Sequence, residues 1–203
     1  VREAAVGNQL KVYGARHISE VVRFLNDEGG LLPTEVDTRA EFYAQQTEFD
    51  FDFADVKGQE HVKRALEVAA AGGHNVIMIG PPGSGKSMMA KRVPSILPPL
   101  SLAESLETTQ IHSVAGKLER ESSLIARRPF RSPHHTISQI ALVGGGANPQ
   151  PGEVSLAHNG VLFCVEVPEF SRSVLEVLRQ LREDRQIIIS RAKYSVTYPC
   201  SFM

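Results

Sequence analysis

The chemistry this sequence can do is concentrated at residues 80–87. Gly80, Pro81, Pro82, Gly83, Ser84, Gly85, Lys86 and Ser87 follow the spacing G-x-x-x-x-G-K-S/T without a mismatch. The glycines allow backbone angles that a Cβ forbids, and they let amide N–H groups approach phosphate oxygens. Lys86 brings a positive charge to the β- and γ-phosphates, which makes it both a binding and a catalytic group. Ser87 offers a hydroxyl to Mg²⁺, and the helix that follows points its positive end at the phosphates. An apolar run precedes the loop and a helical pattern follows it, which is the context such a phosphate loop requires. The expected ligand is a nucleoside triphosphate, ATP with Mg²⁺.

Turnover of a bound triphosphate needs a second acidic site, in which an Asp holds Mg²⁺ and its waters. The candidate is the apolar run 161–165 leading to Glu166. Glu166 is in place, but the preceding position, where the Asp is expected, is Val165. Glu169 lies past Pro168 and is not expected to substitute. Two outcomes stay open. Glu166 alone serves a slow site, or the chain binds nucleotide without useful turnover. Both imply weak Mg²⁺ dependence and a low kcat.

These residues have to be positioned by elements. Residues 76–79 read as a buried parallel strand entering the loop. Residues 86–97 read as a helix with Met88, Met89, Val93 and Ile96 on one side, kinked or ended by Pro94. Residues 59–71 have helical spacing and stop at Gly72 and Gly73. Ser101 and Glu104 form a capping box, and so do Thr136 and Gln139 before a short helix that stops at 144–146. Residues 161–165 read as a second strand and 173–181 as a helix. Residues 187–189 and 194–198 flank SRAK as a β-hairpin. Nearer the start, residues 9–13 read as a strand, followed by a helix capped by Ser19 and stopped by Gly29 and Gly30. Residues 31–52 have weak periodicity and many acids and read as a linker, with Asp50 and Asp52 as solvated charge. The order strand, loop, helix, strand, helix points to an α/β fold with helices on both faces of a parallel sheet.

The bulk composition fits that picture. The chain has 203 residues, of which 42% are hydrophobic and 22% charged, so a packed core is expected and disorder is not. A net charge of −1 means that any nucleic-acid surface must be local. Two distant cysteines, Cys164 and Cys200, argue against a disulfide or zinc framework and for a reduced, cytoplasmic setting. No apolar stretch is long enough for a transmembrane helix, so no membrane partner is expected. The chain begins at Val1 and ends at Met203 after an apolar stretch, and a fragment of a longer protein is the expectation.

Long stretches of the sequence resemble one family. DVKGQE (55–60), AAAGGHNVIMIGPPGSGKS (69–87), IHSVAGKL (111–118), RPFRSPHHTIS (128–138), PGEVSLAHNGVLF (151–163), PEFSRSVLEVLRQ (168–180) and SRAKYSVTYP (190–199) are similar to the ComM/YifB family of magnesium-chelatase-like AAA+ ATPases. The resemblance covers 53–203, and 1–30 look like the tail of the Lon-protease-like domain that precedes the ATPase in that family. It implies a P-loop NTPase (AAA+) three-layer fold around a parallel sheet with β-hairpin insertions. The helical lid and sensor residues fall beyond Met203. It also implies three segments: 1–30 as that tail, 31–52 as linker and 53–203 as a C-terminally truncated AAA+ core. By resemblance, residues 80–87 contact phosphate, the 55–59 segment packs near the adenine and Glu166 polarises the attacking water. A homo-oligomeric ring, a hexamer, is implied as well. The sequence departs from the family at Val165, at Cys164 where an aliphatic residue is usual, and at Leu181 and Arg182 in place of Pro and Leu.

Three functions follow as expectations. The first is a DNA-remodelling motor of the branch-migration or helicase kind, acting in transformation or recombination. The second is a chelatase-like ATP-driven subunit acting on a protein or metal-insertion partner. The third is a nucleotide-binding domain with little turnover. The hairpin bears on the first, because Arg191 and Lys193 at its tip either track a DNA backbone or form a solvated turn. Arg127, Arg128, Arg131, His134 and His135 make a second basic patch, open to phosphate, to a neighbouring subunit or to solvent alone. A metal site at His134 and His135 is not expected, because adjacent residues point apart on a strand.

Overall fold

The computed structural model describes residues 1–6, 10–46, 49–118, 123–146, 149–191 and 194–203. Near the start, β1 (Val12–Tyr13) pairs antiparallel with β2 (Pro33–Thr34), and α1 (Ile18–Leu25) lies between them in sequence. Gln9, the expected start of the strand, lies outside the described residues. The cap of α1 is His17 rather than Ser19, because the His17 imidazole accepts the Ser19 N–H at 3.2 Å. The stretch expected as linker contains α2 (Thr38–Gln45), capped by Asp37, whose carboxylate accepts the Ala40 N–H at 3.0 Å. Phe42 of α2 is buried with Val6, Leu100, Leu124 and Ala126. One buried aromatic among acids gives almost no apolar period, so the sequence pattern hid this helix.

Around the phosphate loop the helix signals are sharper. α3 (Glu60–Gly72) ends at Gly73, which takes φ 62° as a left-handed cap. The single helix expected over 86–97 is two pieces, α4 (Lys86–Ala90) and α5 (Val93–Ile96). Pro94 has no N–H, and its ring would meet the carbonyl of Ala90, so the chain restarts instead of continuing. α6 (Leu102–Val114) opens on the expected capping box. The Glu104 N–H donates to Ser101 Oγ at 3.2 Å, and the Ser101 N–H donates to Glu104 Oε2 at 2.7 Å.

Parallel pairing is confined to one nucleus among the described residues. β3 (Phe130–Arg131) runs beside β4 (Val161–Leu162), so close that a Cβ on Gly160 would fall 2.0 Å from the Pro129 carbonyl oxygen. On the other edge of β4, Gly160 bridges Phe202 in parallel, and the Leu162 N–H donates to the Met203 carbonyl at 3.0 Å. Both edges of β4 are therefore taken. Residues 76–79, expected as a buried strand, belong to no strand, and Val76, Ile77 and Ile79 are 45%, 78% and 89% exposed. A buried strand needs a hydrogen-bonded neighbour and a covering layer, and no described strand supplies one there. The mixed α/β character is present, whereas the expected three-layer sheet appears only as this nucleus.

The C-terminal third packs as one body. α7 (Gln139–Val143) is capped by Ser138, not Thr136, whose hydroxyl and N–H go instead to the His134 ring. α8 (Glu153–Leu156) precedes β4, and α9 (Arg172–Asp184) follows it, capped by Ser171. β5 (Gln186–Arg191) and β6 (Tyr194–Pro199) form the expected antiparallel hairpin, with Arg191 opposite Tyr194. Leu142, Val154, Phe170, Val174, Leu181, Ile187, Ile189, Tyr198 and Cys200 bury together and join these elements. A second cluster joins Phe53, Val56, Leu66, Met89, Val93 and Val161, which sets β4 beside the helix that leaves the phosphate loop.

Candidate functional site

The loop at 80–87 has the backbone that the phosphate chemistry asks for. Gly83 and Gly85 adopt φ of 77° and 86°, which L side chains rarely accept. The Lys86 ammonium turns inward and donates to the carbonyls of Gly80 at 2.7 Å and Pro81 at 2.9 Å. It therefore sits over the concavity as the charge that an incoming phosphate would meet. No side chain caps α4 behind it, and Ser87 is exposed on its first turn. Gln59 Nε2 donates to the Ser84 carbonyl at 3.1 Å and braces the loop from the start of α3. From the sequence, Gln59 reads as part of the 55–59 segment and as the start of the 59–71 helix, with no contact to the loop. A cavity of about 410 Å³ adjoins the loop, bordered by Gln59, His61, Val62, Ile77, Gly80 and Lys86.

Arg92 was missed by motif reading, and it ties the 51–55 segment to α4. Its Nε donates to the Asp52 carbonyl at 3.1 Å and its Nη1 to the Met88 carbonyl at 3.2 Å. Its Nη2 lies 3.6 Å from Asp55 Oδ2, and the guanidinium lies over the Phe51 ring at 5.3 Å. The only available signal was its helical spacing from Met88. Asp52, expected as solvated charge, accepts the Ala54 N–H at 2.8 Å and so starts the turn that carries Phe53 into the core. Asp50 stays exposed, 3.7 Å from Arg127.

At the exit of β4, Val165 is part-exposed and brings no oxygen, while Glu166 takes a left-handed φ of 56°. Glu166 Oε2 lies 3.5 Å from His135 Nδ1. Cys164 is half-buried, and burial pushes its thiol pKa up. Val165 thus brings no side-chain oxygen that could hold a metal. Among the described residues no group of three or more His, Cys, Asp or Glu is placed to hold a metal. The loop fits a phosphate chain, whereas the site lacks the carboxylate that would hold the metal from the protein side.

The basic patch is largely neutralised. Arg131 makes two bonds to the Glu153 carboxylate at 2.6 Å each. Arg128 donates to the carbonyls of Pro98 and Asn159 and lies 3.7 Å from Glu104, and burial lowers its pKa. The His134 and His135 rings do not point apart, because they leave a turn rather than a strand, and they lie tilted by 35° with centroids 4.1 Å apart. At the hairpin, Lys193 lies outside the described residues, and of Arg191 the backbone register alone is placed. No helix among the described residues is long and apolar enough to cross a membrane.

A glycine-turned phosphate loop with an inward lysine, next to a parallel strand nucleus, defines an α/β protein of the P-loop class. The comparisons specify it further. Residues 52–203 match the family described as magnesium chelatase, subunit ChlI. The chain is 45% identical over 203 residues to the competence protein ComM of Haemophilus influenzae, covering 98% of this chain and 39% of that protein. It is 48% identical over 191 residues to the uncharacterized protein YifB of Escherichia coli, covering 93% of this chain and 36% of the relative. A more distant relative is Lon protease 2 of Bacillus subtilis, 33% identical over 155 residues, or 70% of this chain and 27% of that protein. The chain belongs to the magnesium chelatase, subunit ChlI, family and, within it, to the ComM/YifB proteins. It spans about two-fifths of the length of the curated relatives it matches.

Proposed function

We propose that this chain is the nucleotide-binding part of an ATP-driven AAA+ motor that remodels DNA. The observation that carries this reading is the loop at 80–87, with its left-handed glycines and Lys86 turned inward, in a chain similar along 98% of its length to a competence protein. In this reading Gly80, Pro81, Pro82, Gly83, Ser84, Gly85, Lys86 and Ser87 hold the phosphates of ATP. Lys86 neutralises the charge that develops on them. Glu166 polarises the attacking water. Mg²⁺, when bound with the nucleotide, would supply further positive charge at the phosphoryl oxygens, and the Ser87 hydroxyl would be offered to it. The working form is a cytoplasmic homo-oligomeric ring, a hexamer, and the hairpin tip with Arg191 and Lys193 meets the DNA backbone. The second reading, nucleotide binding with little turnover, is favoured by Val165. The third, a chelatase-like subunit driving a protein partner, is favoured by the family match.

The test is ATP hydrolysis by the full-length protein with and without DNA. We expect DNA to raise the rate and Lys193→Ala to abolish the stimulation. No response to any DNA would rule out DNA remodelling and leave the chelatase-like reading, and binding without hydrolysis in the assembled ring would select the second. Val165→Asp should raise kcat at least about 10-fold, since each ~1.4 kcal/mol of metal-centred stabilisation is a factor of ten. An unchanged kcat would show that the missing carboxylate is not what limits turnover.

A further inference from the structure

We propose that His135 is the positioning residue for Glu166, holding its carboxylate in the direction from which it acts. The inference rests on the assignment of Glu166 as the water-polarising group, and it adds a second residue to that site. Glu166 has its backbone fixed on both sides. It leaves β4 at a left-handed φ of 56°, and its carbonyl accepts the Glu169 N–H at 2.8 Å. The turn that follows ends at Phe170, which is buried in the C-terminal core. The backbone is therefore set, but the side chain is 65% exposed, and His135 Nδ1, 3.5 Å from Oε2, is its one ion-pair partner among the described residues. A carboxylate that must aim a water gains from such a partner, because an unheld Glu spreads over several rotamers.

His135 is built to serve as that partner. Its side chain is 27% exposed, and its ring packs against the His134 ring, tilted by 35° with centroids 4.1 Å apart. The His134 ring is itself pinned, since its Nδ1 accepts the Thr136 N–H at 3.3 Å and lies 2.9 Å from Thr136 Oγ1. The Ile137 N–H closes the turn on the His134 carbonyl at 3.0 Å, and Pro133 behind it is buried. The contact turns the Nδ1 edge of the His135 ring toward the carboxylate. The paired histidines thus form a rigid arm reaching from the end of β3 to the end of β4, the two strands that pair in parallel. The order of the chain separates His135 from Glu166 by α7, α8 and β4, and the β3–β4 pairing brings them together.

The experiment measures kcat and KM for ATP in the full-length protein carrying Val165→Asp, then with His135→Ala or His135→Gln added. His135→Ala should lower kcat on the order of 10-fold or more, as misplacement of a reacting group does, with KM for ATP and the affinity for a fluorescent ATP analogue unchanged. His135→Gln, which keeps a donor, should recover a large part of kcat. Unchanged affinity in each variant reports that the fold is intact. If Val165→Asp turns over and His135→Ala leaves kcat unchanged, this proposal is wrong while the assignment of Glu166 stands. If Val165→Asp,Glu166→Gln turns over as fast as Val165→Asp, the assignment of Glu166 fails and takes the proposal with it. If alanine and glutamine reduce kcat equally, the role of His135 is packing, and the proposal is overturned.

Discussion

Lys86 lies with its ammonium on the carbonyls of Gly80 and Pro81, so the loop supplies the countercharge before any ligand arrives. Removing it should act on binding more than on folding, because among the described residues its ammonium bonds to Gly80, Pro81 and Ser84 of its own loop. Lys86→Ala should weaken ATP binding by roughly 10- to 100-fold, the loss expected for charge-assisted bonds of about 1.5–3 kcal/mol. Titration calorimetry on the full-length protein measures it, and an unchanged affinity would mean that the phosphates lie elsewhere. The spacing of Lys86, the glycines and Ser87 was legible in the sequence, and Gly83 and Gly85 take the left-handed backbone that this spacing leads one to expect. Val165 was legible in the same way, as a wrong residue at a known distance from a right one. His135 and Arg92 were not, since their roles depend on neighbours far away along the chain.

At the scale of elements, the phosphate loop depends on how the segment before α3 is fastened to α4. Arg92 does this by bonding the Asp52 carbonyl, facing Asp55 and covering Phe51. Arg92→Ala removes two charge-assisted bonds, to the Asp52 and Met88 carbonyls, and one cation–π contact, and we expect a loss of about 2–3 kcal/mol in stability. The Asp55 contact adds little to that figure, because Asp55 is 59% exposed and the pair is screened. Denaturant unfolding gives the number, and a loss below a few tenths of a kcal/mol would mean that Phe53 and Val56 hold the segment without it. The helices of this region were read well from caps and glycines, which are local signals. Residues 76–79 were read as a buried strand, and that failed because four apolar residues state a preference for burial without naming a partner. The helix at 38–45 failed the other way, with too few apolar residues to show a period.

For the whole molecule, the buried histidine between α6 and α8 gives stability a pH dependence. The His112 Nε2–H donates to the Leu156 carbonyl at 2.9 Å, and the His112 pKa is lowered from 6.5, first by burial, with the hydrogen bond to Leu156 opposing. A histidine with a depressed folded pKa is bound to fewer protons in the folded state than in the unfolded one. Its contribution is fully present above the unfolded value near 6.5 and is lost as pH falls toward the folded value. We expect the unfolding midpoint to drop between pH 7 and pH 5, and the slope to flatten in His112→Gln. An equal slope in that variant would assign the acid sensitivity to other groups.

The sequence by itself determined the glycine-lysine-serine spacing at 80–87, the valine at 165, the helix cap at Ser101 and the C-terminal hairpin. Each of these depends on residues within about one or two turns of one another, where spacing and side-chain type decide the conformation. The tertiary structure alone decided that Arg128 and Arg131 are spent on Asn159, Glu104 and Glu153, that residues 76–79 stay unpaired, and that His135 meets Glu166. Those outcomes follow from which chain segments approach β3 and β4. A strand's edges and a side chain's partners are set by packing between distant segments, and no local period records them.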